Sequence, residues 1–168
     1  MSLLSYNELI ELVYDGVIDA PIENVNSSSI DLTYHNIILR RDTRTQVQWE
    51  EWDLNEKPYW LQPGEFILAS SHEYFNLPLD VSGDYRLKSS QARMGLNALL
   101  ANWMDAGWHG RLTLEFIHHG TTAYKIEAGA KCGQAIFNRH APVPEERSYR
   151  VRGRYNGQQA VTASKGVL

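Results

Sequence analysis

Glu115 sits in the stretch HGRLTLEF, residues 109–116, where Leu112, Leu114 and Phe116 alternate with Arg111, Thr113 and Glu115 as the two faces of a β-strand do. A carboxylate is a poor strand residue, so its presence there asks for a purpose. Asp105 opens a turn ten residues earlier, in DAGWHGRLTLE. Two carboxylates held across a turn and a strand can divide acid–base work between them. The plainer alternative makes Asp105 a turn former and Glu115 an exposed strand residue.

A second cluster, KSSQARMGL over residues 88–96, brings Lys88, Ser89, Ser90 and Arg93 within six positions. Hydroxyls and backbone N–H groups at a turn or short helix start can hold phosphate oxygens, and arginine adds a planar fork. A capped surface turn has the same composition. The third cluster is the C-terminal segment APVPEERSYRVRGRYNGQQ, residues 141–159, polar and arginine-rich. With Arg139 just before it, Arg147, Arg150, Arg152 and Arg154 make five arginines. Such a segment is either a disordered tail or one that orders over an anion or a neighbouring subunit.

The chain as a whole narrows the partners. It has 168 residues, 43% of them apolar and 21% charged, which suits one globular domain. Its net charge of −4 argues against a nucleic-acid polymer as partner. The single cysteine, Cys132, excludes a disulfide framework and a cysteine-rich zinc site, and fits a reducing cytosol. His118 and His119 are adjacent, so on a strand they face opposite ways and make a poor metal pair. No signal peptide is expected, because the N-terminus has no basic stretch followed by an apolar run, and no membrane span is expected, because no apolar run approaches 18 residues.

The elements that must position these residues are mostly strands. Ser5 and Glu8 form a capping box for a helix with an apolar stripe of Leu9, Leu12 and Val13, ended at Gly16. Strands are expected over 30–40, 60–71 with a turn at Pro63-Gly64, 85–88, 96–102, 111–118, 123–126 and 135–138, separated by turn signals. Many short strands at this spacing suggest a sandwich or barrel.

Taken in order, SSSIDL, LQPGEFILA, KSSQARMGL, Ala101 through DAGWHGRLTLEF, GQAIF, Tyr149 and RYNGQQ resemble the dCTP deaminase family of the trimeric dUTPase-like superfamily. The resemblance runs from residue 4 to about 165. It implies an all-β fold, a distorted jelly-roll-like barrel with a short N-terminal helix. Residues 1–168 would be one domain, with 141–168 as a tail able to close over the site. It implies a cytoplasmic homotrimer with active sites between subunits. The family deaminates dCTP without zinc, and Mg²⁺ rides on the triphosphate.

The resemblance also assigns roles. Glu115 matches the catalytic general base and acid, and Ser89 and Arg93 match the residues that hold the attacking water and stabilise charge. Ala101 matches a backbone carbonyl acceptor, and Asp105 borders the sugar. Lys88, Ser90 and Gln134 would meet the triphosphate. Tyr149, Arg154 and Gln158 match tail residues that close over it from a neighbouring chain. The expected reaction is dCTP to dUTP and ammonia. The alternatives are a bifunctional member that releases dUMP and a nucleotide-binding member of the dUTPase-like fold. Several positions depart from the family pattern: Ala106 where many relatives carry proline, Arg154 where lysine is common, Asn102 where some carry histidine, and a short segment between Tyr149 and Arg154. Residues 43–60 match no family motif.

Overall fold

A computed structural model of the chain describes residues 2–41, 48–99 and 101–166. The expectations at 43–47, at Leu100 and at 167–168 lie outside the described residues. The capping box forms as the sequence requires: Ser5 donates its backbone N–H to Glu8 Oε2 at 2.9 Å, ahead of helix α1 (Tyr6–Tyr14). Leu9 and Leu12 bury the apolar stripe.

Two antiparallel sheets carry the fold. In the first, β13 (Lys131–Arg139) is central. It pairs on one side with β8 (Val81–Arg86), which pairs in turn with β10 (Trp103–Met104). On its other side lie β1 (Ser2–Leu3) and β3 (Ile30–Thr33). In the second sheet the order is β5 (Trp49–Asp53), β4 (Ile37–Arg41), β7 (Phe66–Asn76), β11 (His109–His118) and β9 (Leu96–Ala98). The short β2 (Ile18–Asp19) adds to β7. A small ladder joins β6 (Tyr59–Leu61) to β12 (Tyr124–Ile126). Helix α2 (Ser89–Arg93) links β8 to β9, and the one-turn α3 (Tyr149–Arg152) lies in the tail. Among the described residues no helix is long and apolar enough to cross a membrane.

The core lies between the sheets, with Tyr34, Phe75, Tyr85, Phe116 and Phe137 all within 1% of complete burial. Each of the three phenylalanines contributes about 1.5–3 kcal/mol by leaving water. Along β11 the alternation holds throughout: Leu112, Leu114 and Phe116 face the core, while Arg111, Thr113 and Glu115 take the opposite face. That face is half-buried rather than open.

Several elements differ from expectation. The 30–40 run divides into β3 and β4, because Tyr34 leaves the ladder to make an isolated bridge with Ser71. β5 was not expected, since its Glu50 and Glu51 interrupt the apolar pattern. β8 begins at Val81 and β13 at Lys131, both earlier than the apolar residues alone suggest. The tail holds the largest difference. Its polar composition implied a segment unable to fold onto its own domain, yet it docks on its own β11 through backbone bonds. Gln158 O accepts the Arg111 N–H at 2.8 Å, and Gly157 N donates to His109 O at 2.9 Å. This is strand addition, which needs no apolar side chains. Gly110 permits it. Its φ is +136°, and a Cβ there would meet Gln158 N at 2.9 Å.

Candidate active site

Glu115 faces Leu68 across the β11–β7 ladder and borders a cavity of about 420 Å³. Ala101, Thr113, Tyr149, Tyr155 and Gln158 share that cavity. Glu115 Oε2 is buried and has no hydrogen-bond partner. Burial pushes its carboxyl above the ordinary carboxylate value, and only its own backbone pulls slightly the other way. A desolvated carboxylate with a free oxygen, at the wall of a cavity large enough for a pyrimidine, is equipped to accept and return a proton.

The tail closes this cavity. Tyr149 N donates to Ala106 O at 3.0 Å and so fixes α3 to the turn that follows Asp105. Thr113 Oγ1 donates to Gln158 Oε1 at 3.1 Å and accepts from Thr162 N at 3.2 Å. Tyr149 and Gln158, both anticipated, therefore sit at the cavity of their own chain. Arg154 does not. It is exposed, and its guanidinium donates to Gly166 O at 2.6 Å and Lys165 O at 2.9 Å. Thr113, Tyr155 and Thr162 were missed by sequence reasoning. The alternation that singled out Glu115 also placed Thr113 beside it, but nothing local marked Tyr155 or Thr162.

The remaining anticipated residues lie elsewhere. Ser89, Ser90 and Arg93 are exposed on α2, and none of them lines the Glu115 cavity. Lys88, just before α2, pairs with the buried carboxylate of Asp31. Lys131 Nζ reaches the other oxygen of Asp31 at 2.6 Å, and Asn26 Nδ2 donates at 2.8 Å to the oxygen that Lys88 holds. Gln134 stands opposite Asp31 in the ladder and accepts from Ser29 Oγ at 2.9 Å. Lys88 and Gln134 are thus gathered around Asp31, a residue to which the sequence gave no role. Asp105 borders a separate cavity of about 300 Å³ with Arg147, Arg152 and His140. It accepts from Trp103 Nε1 at 3.0 Å. Tyr149 borders both cavities.

Among the described residues no three His, Cys, Asp or Glu side chains converge as ligands of a metal ion. A Mg²⁺ carried by a triphosphate asks for less. It keeps phosphate oxygens and waters and takes at most one or two carboxylates, which this arrangement can offer.

A family model described as dCTP deaminase-like matches residues 3–140. The chain belongs to the dCTP deaminase-like family. Two relatives named "dCTP deaminase, dUMP-forming" extend the match. One, from Persephonella marina, is 37% identical over 154 residues, covering 86% of this chain and 84% of that protein. The other, from Sulfurihydrogenibium sp., is 36% identical over 180 residues, covering 99% and 98%. A crystal structure of 2'-deoxycytidine 5'-triphosphate deaminase from Agrobacterium tumefaciens superimposes with a TM-score of 0.70 at 22% identity, over 86% of this chain and 50% of that one. At that identity the superposition shows the shared fold, the mainly-β architecture expected of a dCTP deaminase family member.

Proposed function

We propose that the protein deaminates dCTP and carries the product on to dUMP. The observation that carries the deaminase reading is Glu115 Oε2, buried and unpartnered at the cavity wall. Water adds to C4 of the cytosine as Glu115 takes its proton. Glu115 passes that proton to N3, and the tetrahedral carbon then stands ready to lose its amino group. The C4–N bond breaks, the remaining hydroxyl proton returns through Glu115, and ammonia leaves. One water enters and one ammonia departs. The Ala101 carbonyl orients the water or the amino group, and Thr113 and Gln158 hold the tail against the ring.

Ser89 and Arg93 belong to the same chemistry but to another half of the site. Their exposure on α2 supports a homotrimer in which one subunit presents Glu115 and its neighbour presents α2. Lys88, Ser90 and Gln134 then meet the triphosphate, and Mg²⁺ enters on the phosphate oxygens. Chains carrying Glu115→Gln mixed with chains carrying Arg93→Ala test the division. If subunits exchange at random, about one site in four regains both groups. Activity then returns to about a quarter of the wild-type level, whereas a site completed within one chain regains none.

The second step hydrolyses dUTP at the α-phosphate, consuming one water and releasing pyrophosphate. The sequence alone favoured dUTP as the end product, because the segment before Arg154 is short. The names of the relatives favour dUMP instead. The short segment is also not what limits the tail, since backbone pairing at Gln158 brings it to the cavity. Asp105, beside Arg147 and Arg152, is suited to activate the second water near a phosphate. A time course from dCTP tests this. Ammonia, dUMP and pyrophosphate rise together while free dUTP stays low. Stoichiometric accumulation of dUTP with ammonia would restore the single-step reading.

A further inference from the structure

The face of the second sheet that carries Glu115 continues past Thr113 to a patch that the proposed reaction does not use. Thr113 stands opposite Ser70, so Ser70 shares that face, and Arg111 stands opposite Tyr74 one step further along. His35 joins them through its backbone N–H, which donates to Ser70 O at 2.9 Å, and its ring lies 5.7 Å from that of His72. Five polar atoms in this small area are buried without a hydrogen-bond partner: Tyr34 OH, His35 Nδ1, Asn36 Oδ1, Ser70 Oγ and Arg111 Nη1. Ser70 is 1% exposed. Buried polar groups are almost always satisfied, so five orphans on adjoining segments mark a missing partner. Beside them lies an opening of about 480 Å³ bordered by His35, Asn36 and His72.

The charges decide what that partner is. Arginine is permanently cationic, so the patch repels a metal ion even though two imidazoles stand together. Water would fill hydrogen bonds but leave the guanidinium uncompensated. Among the described residues no carboxylate bonds to Arg111 Nη1. Glu73 alternates to the other face and spends its oxygens on Thr33, at 3.0–3.2 Å to the backbone N–H and 2.8 Å to Oγ1. Asp19 stands opposite Tyr74 on β2, and Glu115 lies four residues, about 13 Å, along β11. None of them reaches Arg111 Nη1. Burial, together with the positive charges of Arg111 and His72, holds the His35 imidazole below its ordinary value, as an uncompensated cationic patch would. The donors come from three separate segments, the β3–β4 connection, β7 and β11, which suits an anion with several oxygens rather than one planar carboxylate.

We propose that His35, Ser70, His72 and Arg111 form a binding site for a phosphate-class oxyanion, distinct from the Glu115 cavity. Calorimetric titration with inorganic phosphate at constant ionic strength tests it, with dUMP titrated in parallel to tell free phosphate from a nucleotide phosphate. Saturable binding is expected that persists in Lys88→Gln and weakens about tenfold in Arg111→Gln, the loss of one charge-assisted bond. His72→Gln, an exposed position that does not threaten the fold, weakens it several-fold. Absence of phosphate binding to the wild-type protein, unchanged affinity in both variants, loss of the signal in Lys88→Gln, or equally tight binding of acetate would each overturn the proposal.

Discussion

A buried carboxylate, Asp31, and a half-buried one, Glu115, show what separates a structural group from a reactive one in this chain. Asp31 and Glu115 both lie on strands of antiparallel sheets, and both are desolvated. At Asp31 burial pushes the carboxyl up, but hydrogen bonds from Lys131, Lys88 and Asn26 override it and leave the group below its ordinary value. At Glu115 burial acts almost unopposed, and the group ends above its ordinary value. Burial is common to both; the donors decide the outcome. Asp31 has spent both oxygens on cations and is a poor base. Glu115 has kept one oxygen free.

The comparison can be broken at either carboxylate. The largest expected effect is on turnover. Glu115→Gln keeps size and hydrogen bonding but cannot accept a proton, so kcat for dCTP should fall by at least ~10²-fold while dCTP binding is retained. Steady-state rates and a binding titration check both halves. Its stability should move the other way. A carboxylate whose folded value is raised costs stability once pH exceeds its unfolded value, so at neutral pH the glutamine variant should melt no lower than wild type.

Asp31→Asn should instead destabilise the fold by about 2 kcal/mol in denaturant titration at neutral pH, because Lys88 and Lys131 lose a charged acceptor. The sign follows from the lowered value. The contribution of Asp31 is complete above its unfolded pKa of about 3.9 and is lost as pH falls through the folded one, so the gap to the variant should close in acid.

A smaller effect sharpens the account of what keeps Glu115 dry. Gly110→Ala places a Cβ against Gln158 and should unseat the tail without unfolding the sheets. Limited proteolysis between residues 155 and 162 should accelerate roughly tenfold, the equivalent of about 1.4 kcal/mol of local opening. The acid limb of kcat/KM should move towards the ordinary carboxylate range as water reaches Glu115.

How much of this was legible follows the same physics. α1 was readable because its cap, staple and stripe are local. Glu115 was readable because a carboxylate is a rare choice on an alternating strand, whereas Tyr149 and Gln158 border its cavity within one chain and the resemblance had them closing over the triphosphate from a neighbouring chain. β5 was hidden by Glu50 and Glu51, since an exposed edge strand has no reason to alternate cleanly. The docked tail was invisible because backbone bonds leave no trace in side-chain composition. Asp31 appeared only as one letter in SSSIDL. Its meaning depends on Lys88 and Lys131, 57 and 100 residues away, which only the folded chain brings together.

The most direct measurement is an NMR titration of both carboxyl carbons, Glu115 Cδ and Asp31 Cγ, in one labelled sample. Glu115 should titrate above the ordinary glutamate value of about 4.3 and Asp31 below the ordinary aspartate value of about 3.9. A Glu115 carboxyl that titrates at or below its ordinary value would contradict the role of Glu115 as general base.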